Sequence, residues 1–93
     1  MTDALLTDLE PGHARRLDPA EAAALQAAGL VKREEDSTMT GPIRVLEAEG
    51  LPGRWILESD TRRRPVLRRL HAWQDPDAFI LSRRESYERM WDG

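Results

Sequence analysis

The chain has no cysteine in its 93 residues, which excludes disulfides and thiolate metal sites and leaves stability to packing and self-association. Aromatic residues are few: three tryptophans, one tyrosine and one phenylalanine. Lysine is scarcer still, with Lys32 alone, so nearly all the positive charge is arginine. That bias, beside abundant alanine and leucine, is what a GC-rich bacterial coding sequence produces, so arginine position carries more information than arginine number. No apolar run approaches the ~20 residues of a membrane span, and the Met-Thr-Asp-Ala start has no basic leader region. A cytoplasmic location, away from membranes, is the expectation.

Catalytic parts are missing too. His13 and His71 stand far apart, with no neighbour at a ligand spacing, so no metal and no cofactor is expected. The glycines form neither a phosphate loop nor a dinucleotide fingerprint. Ser59, Ser82 and Ser86 have no elbow motif around them. Enzymatic activity is not expected, a small hydrolase with a serine and a distant histidine being the remote alternative.

What remains is material for one small domain spanning 1–93 with a modest core. Its net charge of −3 hides an asymmetry: ten acids against five bases in residues 1–50, and seven against nine in residues 51–93. Residues 1–16 carry Leu5, Leu6 and Leu9, a short helical pattern broken at Pro11-Gly12, and then His13–Arg16 as loop. Such ends are commonly mobile unless docked. Asp18 caps a helix opened by Pro19, with Glu21 at the capping-box position and Gly29 at its left-handed end, giving Pro19–Ala28.

Three strand-like pieces follow. Leu30–Glu35 alternates like an edge strand, Ile43–Ala48 is apolar on both alternations, and Arg54–Ser59 centres on Trp55-Ile56-Leu57. Residues 65–74 read two ways. As a helix from Pro65, Val66, Leu70 and Trp73 share one line; as a strand hairpinned onto 55–59, arginine and apolar groups mix on both faces. The helical pattern is the cleaner. Asp75–Trp91 is the best-marked helix, capped by Asp75, opened by Pro76, with Phe79, Ile80, Tyr87, Met90 and Trp91 in one arc about 120° wide. Arg83 falls inside that arc and, if partly buried, needs a carboxylate such as Glu58. The expected fold is therefore α+β: a three-stranded antiparallel sheet with an N-terminal helix and a long C-terminal helix closing the core.

Leu25–Leu46 resembles the helix–strand–wing end of winged-helix transcription regulators. In that family the preceding helix is basic or polar, whereas DPAEAAALQAAG here has no basic residue, so the likeness reduces to a helix followed by a hairpin.

The functional expectation rests on where the arginines lie. Arg62-Arg63-Arg64, Arg68-Arg69 and Arg83-Arg84 crowd into one part of the chain, and a planar guanidinium matches carboxylate and phosphate alike. Arg62, Arg63, Arg64, Arg68, Arg69 and Arg84, with Trp73 and Trp91 nearby, are the candidate binding residues. The opposing account pairs these arginines with neighbouring acids and keeps both tryptophans for the core. Function is expected to be that of a non-catalytic regulator, inhibitor or adaptor engaging the acidic surface of another protein. The alternative is a nucleic-acid-binding module using the same arginines on phosphates, against which the net negative charge counts. The composition is also compatible with a homodimer.

Overall fold

The computed structural model describes residues 2–37, 41–60 and 63–92, with side chains over 3–35, 42–58 and 64–85. The elements are α1 (Thr2–Thr7), β1 (Ala14–Arg16), α2 (Pro19–Ala27), β2 (Val31–Ser37), β3 (Gly41–Ala48), β4 (Leu51–Asp60), β5 (Arg63–Arg69) and α3 (Pro76–Asp92). All strand pairs are antiparallel, in one sheet of order β1-β5-β4-β3-β2. The α+β class holds, but three strands closed by a long helix do not. The sheet has five strands, and the C-terminal helix is a 17-residue element laid on one face of it.

The correction lies mostly in residues 63–69, where the helical reading fails. Trp55 pairs with Arg69, Leu57 with Leu67 and Glu58 with Val66, so β5 completes the hydrogen bonding of β4. Backbone groups beside a buried strand must find partners, and that requirement outweighs a helical apolar pattern of four residues. Pro65 fits because the ladder shifts register between Glu58 and Asp60, where no N–H is asked of it. Its carbonyl accepts from the Leu17 N–H at 2.7 Å, which ties β1 to the other side of β5.

Strand alternation gives the sheet two apolar faces. Leu46, Trp55, Leu57 and Leu67 pack against Leu6 of α1, Leu9, Leu17, and Ala22 and Leu25 of α2. On the other face Ile43, Val45 and Ile56 pack with Leu70, Ile80 and the half-buried Phe79. Leu6 and Leu9 are buried, so the N-terminal leucines dock onto the sheet, and part of the expected loop at 13–16 is β1. Both helix starts follow their caps. The Asp18 N–H donates to Glu21 Oε1 at 3.0 Å, and the Asp77 N–H donates to Asp75 Oδ1 at 3.2 Å. Of the expected inner arc of α3, Tyr87, Met90 and Trp91 have side chains outside the described residues.

β1 begins at a bulge, where Gly12 and His13 share one partner. The Gly12 N–H donates to the Arg69 carbonyl at 2.8 Å, and the Arg69 N–H donates to the His13 carbonyl at 3.0 Å. Gly12 has φ +83°, and a Cβ there would run into the His71 ring. Gly12→Ala is expected to lower the unfolding free energy by about 1–2 kcal/mol, the cost of the left-handed conformation for an L-residue. A urea titration reads this; an unchanged midpoint would show that the bulge does not require glycine. Among the described residues, no helix is long and apolar enough to cross a membrane.

Candidate functional site

The fold separates the arginines that the sequence brings together. Arg64 is the second residue of β5, at the end remote from Trp73, 65% exposed, with Nη2 3.1 Å from Asp18 Oδ1. Arg69 points to the α1–α2 face. Its Nη1 donates to the Leu9 carbonyl at 3.0 Å, its Nη2 to the Pro52 carbonyl at 3.2 Å, and its guanidinium lies 5.2 Å from the Trp55 ring centroid. Arg84 reaches Glu35 Oε2 on β2 at 3.4 Å. Arg62 lies outside the described residues, as do the side chains of Arg63 and Trp91. Three of the candidates thus have carboxylate or carbonyl partners, and one of these three, Arg69, is half-buried against the α1–α2 face.

Arg68 is placed differently. Alternation along β5 turns Val66 and Arg68 to the α3 face, and pairing across the ladder puts Ala14 and Arg16 on that same face. The Arg68 guanidinium lies 5.7 Å from the Phe79 ring centroid, and the Arg83 guanidinium lies 5.0 Å from the same ring. Arg83 has the carboxylate expected for it: Nη2 donates to Glu58 Oε1 at 3.3 Å, and Nε lies 3.3 Å from Oε2. Arg68 has no carboxylate partner among the described residues; its Nε, like those of Arg69 and Arg83, is buried without a hydrogen-bond acceptor. Arg16, fully on the exposed edge strand, likewise has no described partner.

Phe79 also lines an open groove of about 370 Å³, formed by Trp73, Gln74 and Asp75 before α3 and by Ala78, Phe79 and Ser82 on it. Trp73 is 79% exposed, and its only described ring contact is a stack on His71 at 5.1 Å and 9°. The core reading of Trp73 therefore fails: the ring lies against a neighbour and shows its outer face to solvent. Phe79 joins the two halves of the site, lining the apolar groove on one side and carrying two guanidinium groups on the other. Arg16 and Arg68 bring two positive charges to this face, while Arg83 is offset by Glu58.

A second cleft of about 340 Å³ lies between Glu47, Gly53, Arg54, His71, Ala72 and Gln74. Its one cation and one anion already face each other, Arg54 Nε to Glu47 Oε1 at 3.2 Å, so it presents no uncompensated charge. Beyond it Arg33 bridges Asp77 and Glu35, fastening α3 to β2; the Asp77 hydrogen bond, with help from Glu35 and against some desolvation, raises the Arg33 pKa above its usual value. Among the described residues no group of three His, Asp or Glu could hold a metal ion.

Of the residues gathered here, the sequence singles out Arg68 and Trp73 as binding candidates and not Arg16 or Phe79. Arg16 enters the site only because β1 joins the sheet, a pairing across some fifty residues of chain that leaves no local trace. No protein-family model matches the chain, and no curated protein or solved structure matches it.

Proposed function

We propose that this chain is a non-catalytic interaction protein, a small regulator or adaptor in the cytoplasm, which holds an acidic segment of another protein on the α3 side of the sheet, beside Arg16, Arg68 and the exposed Trp73. The observation that carries this reading is Arg68: a half-buried guanidinium 5.7 Å from the Phe79 ring centroid, with no carboxylate partner among the described residues. A guanidinium held in an apolar setting gains more from an incoming carboxylate than one in open water, because charge-assisted hydrogen bonds strengthen as solvent is excluded. Arg16 supplies a second charge on the same face, and the exposed Trp73 ring supplies apolar area at the groove's end.

Acidic protein is favoured over nucleic acid by shape and by total charge. The groove is short and partly apolar, which suits alternating carboxylate and aliphatic side chains. A net charge of −3 opposes approach to a duplex. The test compares an acetylated, amidated (Glu-Val)4 peptide with a short DNA duplex as ligands, over a range of salt. The peptide is expected to bind, more weakly as salt rises, and Arg16→Ala with Arg68→Ala to weaken it at least tenfold. Arg64→Ala, outside the groove, is expected to stay within twofold. An unchanged thermal midpoint confirms that the double variant is folded. Duplex binding tighter than peptide binding, or no binding of either, would overturn the proposal.

A further inference from the structure

We propose that the outer edge of β1 accepts the acidic segment as a sixth strand of the sheet, with Arg16 gripping a carboxylate on the α3 face; this rests on the acidic-partner reading above and adds how the partner is held. The geometry begins with which backbone groups β5 uses. The His13 carbonyl and the Leu17 N–H both bond to β5, so by strand alternation Ala14 and Arg16 turn their N–H and C=O groups away from it. All three residues of β1 are exposed. An unpaired edge of this kind is a template for one more strand, and main-chain hydrogen bonding along it gives affinity while alternate side chains give choice of partner.

The two edges of the sheet are not equivalent. β2, at the far edge, carries charged side chains that are already engaged: Glu34 with Arg44 at 3.0 Å, and Glu35 with Arg33 at 3.1 Å and Arg84 at 3.4 Å. α3 is also fastened across it through the Arg33–Asp77 pair. β1 carries two arginines, one toward each face, and Arg15 meets Glu21 of α2 at 3.4 Å. A second copy of the chain is a poor occupant of this edge. Twofold pairing of two β1 strands centred on Arg15 or Arg16 would set arginine against arginine at roughly 5.5 Å or less, and like charges directly opposite destabilise a ladder. A strand whose carboxylates fall on the α3 face removes that conflict, placing a carboxylate beside Arg16.

The experiment uses the whole chain and the (Glu-Val)4 peptide. Amide hydrogen exchange of Ala14 and Arg16 is measured with and without peptide. Binding is then repeated with two N-methylated peptides, one methylated at every valine and the other at every glutamate. Protection of the two amides by at least tenfold is expected, with one methylated peptide losing at least tenfold in affinity and the other staying within twofold. Binding with both amides unprotected and both methylated peptides equally good would overturn strand addition while leaving the acidic groove intact. Failure of the unmodified peptide to bind would overturn the groove and strand addition together. Protection of Ala14 and Arg16 in the free chain, increasing with its concentration, would overturn it in favour of self-pairing.

Discussion

Replacing Trp55 by alanine is expected to lower the unfolding free energy by about 3–5 kcal/mol, the usual cost of deleting a large buried aromatic. Trp55 is 1% exposed at the centre of β4, in the larger of the two core clusters. Its indole N–H donates to the Leu6 carbonyl at 3.2 Å, so the ring also anchors α1 to the sheet. Arg69 stacks on it from the neighbouring strand. Truncation therefore opens a cavity, leaves the Leu6 carbonyl short of a donor, and removes the surface on which a guanidinium rests. Denaturant unfolding measures the loss. A drop under 1 kcal/mol would mean that the α1–α2 face of the sheet packs in some other way.

Arg69→Ala is expected to cost about 2–3 kcal/mol, from two charge-assisted hydrogen bonds to carbonyls and one stacked aromatic contact. Arg69 clamps Leu9 and Pro52, residues far apart in the chain, onto the end of β4. Arg69→Lys is expected to recover only part of that loss, since a single ammonium lacks the planar fork that serves both carbonyls. Arg64→Ala provides the contrast: its pairing with Asp18 is exposed, and a change within about 0.5 kcal/mol is expected. If both alanine variants unfolded alike, the division of these arginines into half-buried strut and surface charge would be wrong.

Signals that act within a few residues were legible in the sequence. The caps at Asp18 and Asp75, the prolines after them, and Gly29 with its φ of +74° mark where α2 and α3 begin and where α2 stops. Arg83 could be assigned to Glu58 because a cation inside an apolar arc requires an anion, and the apolar core of β4 supplied a strand ending in one. β5 was misread because its periodicity fits a helix, while the reason for its being a strand lies in the open edge of β4. β1 is three residues long and exposed throughout, with no apolar pattern to reveal it. The arginine groups follow from those two strands. Arg68 and Arg69 are adjacent in sequence but face opposite sides of the sheet, so closeness along the chain did not become one surface. Arg16 and Arg68 did come together, from opposite ends of the chain.

An acidic segment is expected to bind on the α3 side of the sheet at the β1 edge, beside Arg16 and Arg68. The most direct measurement is a peptide titration followed by amide and indole NMR shifts. With (Glu-Val)4, the expected shifts concentrate at Ala14–Leu17, Val66–Arg68, the Trp73 indole and Phe79–Arg83, and they fade as salt is added. Shifts centred instead on Arg64 and Asp18, or spread evenly over both faces of the sheet, would contradict it.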